Sequence, residues 1–240
     1  MRRVLTLTRK ELFQLFVSPI AYAYGIVFVF FVTFMFFRFF FLIRQTTMSE
    51  FFNWVPLSFA VIVPGVTMRS WAEERKQGTI EFLLTSPIDT WQIVVAKFLA
   101  ALALVGLCLT MTLLVPYTVS RFGDLDAGPV WGGYVGSLLC AATLIAIGMF
   151  LSSFTQDQIV SFLVSVIVLL SLVLLGHYWF STEYRAGSAF GAFAQAVSPS
   201  THFESIGRGV VDIRNVYYFG ALTGLFLYLN TRVIDLRRWR

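Results

Sequence analysis

The side chains that most often carry out chemistry are few in this chain and stand far apart. Its 240 residues include two His, His177 and His202, and two Cys, Cys108 and Cys140. Metal sites need His, Cys or carboxylates at short, regular spacings, and nucleophilic catalysis needs a base beside the nucleophile. The chain has no H-E-x-x-H, C-x-x-C or G-x-S-x-G sequence. We therefore predict no catalytic residues and no metal site, and we expect both Cys to be buried thiols.

Two other kinds of chemistry can be weighed in the same way. The chain lacks the G-x-x-x-x-G-K-[ST] loop, so it does not bind ATP by that route. A lipid-modifying enzyme embedded in the membrane would need acidic residues or His clustered near one interface. The candidates for such a cluster are Glu183, His202, Glu204 and Asp212.

One charged segment, residues 69–97, interrupts an otherwise apolar chain. It reads RSWAEERKQGTIEFLLTSPIDTWQIVVAK. Charged residues rarely remain in the hydrocarbon core without partners, so we expect this segment to lie outside the bilayer. It also contains an apolar set, which leaves two interpretations. Either a protein docks on a surface of charges and apolar anchors, or the apolar residues rest among lipid headgroups. The apolar residues are Ile80, Phe82, Leu83 and Leu84.

The segment has the signals of three helical pieces separated by two breaks. Residues 73–76 continue the preceding helix, and Gly78 is placed to end it, because glycine tolerates the left-handed conformation. A short helix is then predicted over residues 79–86, between a Thr cap and a Pro. Asp89 with Gln92 three residues later predicts the start of the next helix. Together the pieces would form a rigid elbow.

The composition of the whole chain indicates an all-α integral membrane protein. It is 58% hydrophobic and 13% charged, with a mean hydropathy of +0.77, whereas soluble domains carry roughly 25% charged residues. The net charge of +5 fits Lys and Arg retained beside a membrane better than nucleic-acid binding. Six runs are long enough to span a bilayer as helices. They lie near residues 20–43, 52–70, 98–119, 131–152, 159–180 and 216–234.

The Lys and Arg residues predict that both termini are cytoplasmic. Six spans place twelve of the 18 basic residues on the side of the N-terminus and six on the other side. An even number of spans also keeps the two basic tails on the same side.

Residues 1–18 have the periodicity of an amphipathic helix. Lys10 lies on a basic face, which Leu7 interrupts, and the opposite face is apolar. We interpret the segment as a helix in the membrane interface that turns into the first span at Ser18. The alternative is a merely basic leader. The residues of the apolar face are Leu5, Leu12 and Phe16.

The connection before the last span, residues 181–215, is too polar to cross a membrane and too apolar for an ordinary solvated loop. Two interpretations are open. It is either a helical hairpin that re-enters the outer leaflet or an extracellular helix that rests on the bundle.

Residues 74–97 resemble the signature of ABC-2 type permeases, the membrane subunits of ATP-binding-cassette exporters. That pattern is acidic-Arg-x-x-Gly-Thr-hydrophobic-Glu-x-Leu-Leu-x-(Ser/Thr)-Pro, followed by a Lys that opens the third helix. Residues 198–212, SPSTHFESIGRGVVD, resemble the second hallmark of the family. The order of segments is similar along the whole chain and most resembles gliding-motility-type permeases. The residues that match the first pattern are Glu74, Arg75, Gly78, Thr79, Glu81, Leu83, Leu84, Ser86, Pro87 and Lys97.

This resemblance implies a single domain over residues 1–240, a six-helix half-transporter of the type V exporter fold. The elbow would be the coupling helix that binds a separate ATPase, and residues 181–215 would form re-entrant extracellular helices. The expected coupling residues are Glu73, Glu74, Arg75, Gly78, Thr79, Glu81, Leu83 and Pro87. The expected residues of the re-entrant segment are Ser198, Pro199, His202, Phe203 and Gly209.

The same resemblance implies the partners and the location. Two ATPase copies would hold ATP and magnesium, this chain would hold no cofactor, and a second permease copy, identical or related, would complete the path. The cargo would be amphipathic or lipid-linked, and the site of action the bacterial cytoplasmic (inner) membrane. Membrane lipid and, as an option, an extracytoplasmic accessory protein are further partners, whereas nucleic acid is not. The alternatives are a membrane scaffold that recruits soluble proteins and the lipid-modifying enzyme considered above.

Overall fold

The computed structural model describes residues 2–43, 47–78, 88–176, 196–207, 209 and 212–238. Every regular element within these ranges is an α-helix, so the all-α prediction is confirmed. In chain order the helices are α1 (Arg2–Val17), α2 (Pro19–Ile43), α3 (Ser49–Thr67), α4 (Arg69–Lys76), α5 (Thr90–Met111), α6 (Leu114–Val119), α7 (Ala127–Ser152), α8 (Gln158–Leu175), α9 (Pro199–Gly207) and α10 (Ile213–Arg238).

Five helical stretches among the described residues are long and apolar enough to cross a membrane. They follow the first five predicted spans in order, with α3 and α4 forming one stretch and α5 and α6 another. The predicted sixth span lies within α10. That helix is long enough, at about 1.5 Å per residue, but it is less apolar than the other five, so the sixth span stays a prediction. The five stretches are Ala21–Phe41, Ser49–Lys76, Thr90–Val119, Ala127–Ser152 and Gln158–Leu175.

Helices α3 and α7 form the centre of the bundle. Helix α7 packs against α3, α4, α5, α8, α9 and α10. Small residues on α7 permit this close packing: a Cβ at Gly133 would stand 2.3 Å from the Phe52 ring, and one at Gly148 would stand 2.5 Å from the Thr67 hydroxyl. Both Cys are free thiols; Cys140 on α7 is buried as predicted, whereas Cys108 on α5 is only half-buried. Few residues of α2 and α8 are buried within the bundle.

The N-terminal helix lies where the sequence predicts it. One of its faces contacts the bundle, and another is exposed and apolar. Helix α1 packs along α5. The side chains of Leu5, Phe13 and Val17 stay exposed and apolar. Leu7 is half-buried on the same helical face as Glu11, the face that contacts α5. The interruption of the basic face at Leu7 is therefore explained by packing inside the protein, and the position of α1 at a membrane interface stays a prediction.

Candidate functional site

The second span continues beyond its apolar stretch as α4. Met68, between α3 and α4, keeps helical angles (φ −55°, ψ −30°), and its N–H donates to the Pro64 carbonyl at 2.8 Å. Gly78 follows the end of α4 with φ +68°. No atom of the described residues lies within 4 Å of the position that a Cβ at Gly78 would take, so among them the backbone angle alone favours glycine there. The prediction that residues 73–76 extend the second helix and that Gly78 ends it is confirmed.

A buried lysine near the start of the third span holds this extension. Lys97 on α5 is 5% exposed, and its Nζ lies 2.7 Å from Glu74 Oε1 on α4 and 3.0 Å from Glu11 Oε2 on α1. The Nζ also stands 5.4 Å from the centroid of the Trp71 ring, within cation–π range. Two carboxylates and an aromatic face offset the cost of burying the ammonium group. We call Glu11, Glu74 and Lys97 the ionic triad.

Trp71 fixes α4 to the rest of the bundle. Its side chain is fully buried and packs with Ile93 and Val94 of α5 and with Ile234 of α10. Its backbone N–H donates to the Ser152 hydroxyl at the end of α7, at 3.4 Å. Helix α4 is therefore held by apolar packing as well as by charge.

The other charged residues of α4 also reach neighbouring elements. Arg75 Nη1 donates to the Thr155 carbonyl, just after α7, at 3.2 Å. Arg69 Nη1 donates to Ser18 Oγ, between α1 and α2, at 2.6 Å, and Arg69 Nε lies 3.7 Å from Glu73 Oε2. These contacts join α4 to the junctions of its neighbours, so α4 should move with them as one unit.

The start of α5 is predicted correctly, but its cap differs from the expected one. Asp89 is the residue before the helix and has an extended backbone (φ −69°, ψ 139°). Its carboxylate accepts the side-chain amide of Gln92 at 3.1 Å instead of a backbone N–H. The expected pair is therefore present, with the hydrogen bond between the two side chains.

The structure brings together half of the predicted coupling residues. Glu73, Glu74, Arg75 and Gly78 lie at the end of the second span. The other four, Thr79, Glu81, Leu83 and Pro87, lie outside the described residues. Sequence reasoning missed Glu11 and Trp71. One signal was available: Glu11 is the only acidic residue before Glu50, and a lysine within an apolar stretch needs an acidic partner.

At the opposite end of the bundle, residues at the start of α9 donate hydrogen bonds to the last turn of α8. The hydroxyls of Ser198 and Ser200 donate to the carbonyls of Leu172 and Val173 at 3.0 and 2.6 Å. These carbonyls belong to the last turn of α8, where a helix leaves its own acceptors unpaired. Pro199 opens α9 at a position that needs no N–H donor. The predicted Ser-Pro-Ser sequence thus ends one helix and begins another.

His202 fastens α9 to the start of α10. Its ring stacks on Tyr218 with centroids 3.9 Å apart. Its Nδ1 lies 2.8 Å from Asn215 Oδ1, and its Nε2 lies 3.3 Å from the Ala196 carbonyl. The Tyr218 hydroxyl donates to the Val197 carbonyl. Both ring nitrogens of His202 are therefore occupied by contacts within the protein.

Glycines let α9 lie close against α7. A Cβ at Gly136 would stand 2.8 Å from Ile206 Cγ2, and Phe203 and Ile206 are buried in the contact. Gly209 has φ +86°, and a Cβ there would stand 3.1 Å from the backbone of Pro129. All five residues predicted for this segment contribute to the junction of α7, α8, α9 and α10. Its first part, through residue 195, lies outside the described residues, so the re-entrant path stays a prediction.

Two of the residues considered for a lipid-modifying enzyme, His202 and Asp212, each bond other residues of the α9–α10 junction. Asp212 Oδ1 accepts the Arg214 N–H at 3.0 Å, at the start of α10, while His202 is held as above. Glu183 lies outside the described residues. Within the described ranges, no three His, Cys, Asp or Glu side chains form a group that could hold a metal ion.

Comparison with known proteins decides the family. The sequence profile of the family described as "ABC-2 family transporter protein" matches residues 58–182, slightly more than half of the chain. The chain belongs to the ABC-2 family. It is therefore a multi-pass membrane protein and a permease. The matched range of the permease includes Glu74 and Lys97 of the ionic triad, but neither Glu11 nor α9.

Two similar proteins support the same family. The "Probable multidrug ABC transporter permease YbhR" of Escherichia coli K12 is 30% identical over 113 residues, and its counterpart in Escherichia coli O157:H7 gives the same values. The aligned region covers 47% of this ABC-2 chain and 30% of each relative. The chain thus matches less than a third of the length of these permeases.

Proposed function

We propose that this permease is the membrane subunit of an ATP-binding-cassette exporter driven by a separate ATPase. Membership of the ABC-2 family supports the role, and the stiff extension of the second span supports the coupling mechanism. In this proposal the whole chain is one transmembrane domain, α10 is the sixth span, and both termini are cytoplasmic. ATP and magnesium bind to the ATPase, two copies of which serve two permease copies.

The ionic triad is the single observation that carries the mechanism. The ATPase would bind the segment after Gly78, and its movement would pass into α4. Because α4 continues α3 through Met68 and is joined to α1 and α5 by the triad, these four helices would tilt together. Alternating access requires that the ATPase stabilise one arrangement more than the other. ATP binding would supply that difference by drawing the two ATPase copies together.

The open faces of the bundle support an amphipathic or lipid-linked cargo and a second permease copy. Few residues of α2 and α8 are buried, and many of their exposed side chains are apolar, so a partner copy would cover part of this surface. Ions and sugars would need polar clusters along the path. The exposed side chains on these two helices include Ile26, Phe30, Phe34, Ile159, Leu163 and Ile167.

Gly78 offers a test with a matched control. Gly78→Pro cannot adopt the observed φ of +68°, because proline fixes φ near −65°. Gly78→Asn can adopt it and has open space around it. We expect Gly78→Pro to abolish transport and the stimulation of the ATPase while the chain still inserts, and Gly78→Asn to keep most of both. ATPase rates and cargo transport of the reconstituted complex measure this.

Normal transport by Gly78→Pro would reject the coupling route. A scaffold that only recruits soluble proteins makes a different prediction: the ATPase would still co-purify, but adding nucleotide would not change the permease conformation. Cross-linking of α4 to its neighbours with and without ATP separates the two functions.

A further inference from the structure

A cavity of about 460 Å³ lies between α1, α4 and α5 and has a charged part and an apolar part. Three basic and three acidic side chains line it, so its walls carry no net charge. A cavity with these two parts matches a molecule that has a zwitterionic head and an apolar tail. The charged lining residues are Lys10, Glu11, Arg69, Glu73, Glu74 and Lys97. The apolar lining residues are Leu15, Val66, Ala100 and Ala101.

Two cationic side chains of the cavity, Lys10 and Arg69, lie outside the ionic triad and can bind a ligand. Lys97 is neutralised within the ionic triad. The Nε of Arg69 is shielded from solvent, forms no hydrogen bond with the described residues, and lies 3.7 Å from Glu73, beyond hydrogen-bond distance. The Arg69 side chain as a whole is 29% exposed and lines the cavity, and a guanidinium group in this position is well suited to a phosphate. Glu73, on the same wall, can accept hydrogen bonds from an ammonium group.

The apolar part of the cavity continues along α2. A narrow gap follows, passes Tyr24 and reaches Gly25, where a Cβ would stand 3.2 Å from Cys108 Sγ. Beyond Gly25 an apolar groove of about 570 Å³ opens on the face of α2. The residues shared by the cavity and the gap are Leu15, Ser18, Val66 and Arg69. The groove is bounded by residues that include Phe30, Phe34, Phe37 and Met111.

We propose that a membrane phospholipid with an ammonium headgroup binds in this cavity. Its phosphate contacts Arg69 and Lys10, its ammonium group contacts Glu73, and one acyl chain follows α2 toward the apolar groove. The gap at Gly25 measures about 10 Å³, so the acyl chain would pass it only with α2 displaced outward. The headgroup site lies within one protomer, and lipid binding there can be measured without the ATPase, although its walls include the ionic triad and the groove shares Phe30 and Phe34 with the surface proposed for a second copy.

The position of the cavity relative to α1 supports this occupant. Helix α1 exposes Leu5, Phe13 and Val17, a face suited to the interface of a bilayer. The cavity lies directly beside α1 and contains Lys10 and Glu11 from that helix. A headgroup bound there would therefore lie at the depth of the surrounding headgroups, and the lipid would enter without crossing the membrane.

Native mass spectrometry of the full chain tests the proposal. The permease is equilibrated with vesicles that contain equal amounts of phosphatidylethanolamine and phosphatidylglycerol, extracted in detergent, and examined for retained lipid. We expect the native chain to retain phosphatidylethanolamine and Arg69→Gln to retain about tenfold less, as expected for the loss of a charge-assisted hydrogen bond. Arg121→Gln is the matched control. Arg121 is exposed, lies just after α6 and away from the cavity, and its guanidinium group donates to the Tyr117 hydroxyl of α6.

Two further variants test the headgroup and the chain separately. Glu73→Gln should shift the preference from phosphatidylethanolamine toward phosphatidylglycerol, because it removes the acceptor for the ammonium group and keeps Arg69. Gly25→Leu should lower retention of both lipids by closing the gap. Equal retention by the native chain and by Arg69→Gln would overturn the site, as would a native preference for phosphatidylglycerol. If Arg69→Gln does not fold, an unchanged preference in Glu73→Gln overturns it.

Discussion

The two ends of the bundle are both fastened by polar side chains, but the chemistry differs. At the α4 end the contacts are ionic, between Lys97 and the carboxylates of Glu11 and Glu74, and all ion pairs found among the described residues lie at this end. At the α9 end the contacts are neutral hydrogen bonds from Ser198, Ser200 and others, with glycines packed against backbone. Ionic contacts act over several ångströms and persist when helices shift. Close packing of glycines against backbone atoms is lost when the helices shift.

This difference assigns a separate role to each end. The α4 end can keep its attraction while α1, α4 and α5 change their positions, which suits the end where we propose the ATPase acts. The α9 end is held by close packing, which would keep α7, α8 and α10 in one arrangement. Three substitutions test the contrast, beginning with the one expected to have the largest effect.

Lys97→Met should be the most damaging change. It leaves the carboxylates of Glu11 and Glu74 without their cation, and removing one partner of a buried ion pair costs about 3–5 kcal/mol. The free energy of unfolding in mixed micelles measures the loss. Adding Glu11→Gln to Lys97→Met should recover part of the stability, because one unpaired carboxylate is removed. Equal stability of native and Lys97→Met chains would mean that the triad does not hold α4.

Gly132→Ala should have the next largest effect, at the α9 end. A Cβ at Gly132 would stand 3.1 Å from the Ile206 carbonyl oxygen and 3.2 Å from the Gly209 Cα, both backbone atoms. We expect a loss of roughly 1–3 kcal/mol, the usual cost of overpacking, in the same unfolding measurement. Gly224→Ala on α10, where no atom of the part of the chain that the structure describes lies within 4 Å, is the control and should be neutral or slightly stabilising. Equal losses of stability in Gly132→Ala and Gly224→Ala would mean that the close backbone contact at Gly132 does not stabilise the α9 end.

His202→Phe should have the smallest effect of the three. Phenylalanine keeps the stacking on Tyr218 but leaves Asn215 Oδ1 without the His202 ring nitrogen, while Asn215 Nδ2 still donates to Ser205. The expected cost is about 1–2 kcal/mol, typical of one lost hydrogen bond with a buried polar group left behind. His202→Ala, which loses both contacts, should be less stable than His202→Phe. If the two variants unfold alike, the stacking contributes nothing.

Local features of the fold could be predicted from the sequence because they depend on neighbouring residues. The left-handed turn at Gly78, the start of α5 after Asp89 and the helix before Ser18 each follow from residue types within a few positions. The order of the first five spans follows from the length of the apolar runs alone. Such signals need no knowledge of how helices pack.

Long-range pairing could not be predicted in this way. Glu11 and Lys97 are 86 positions apart, and they meet because α1 lies along α5, which no local pattern encodes. Leu7 gave a hint, since it broke the basic face without an apparent cause. The hydroxyls of Ser198 and Ser200 act on a helix that ends more than 20 positions earlier, so composition alone could not separate a re-entrant hairpin from a surface helix.

The spacing of the ionic triad also orders the biosynthesis of the permease. A chain leaves the ribosome N-terminus first, so Glu11 and Glu74 are made before Lys97, which follows Glu74 by 23 positions. Until the third span has been translated, the first two lack the cation that joins them. Synthesis of the start of that span therefore completes the ionic triad, and a nascent chain arrested before Lys97 would lack the ammonium group that joins Glu11 to Glu74.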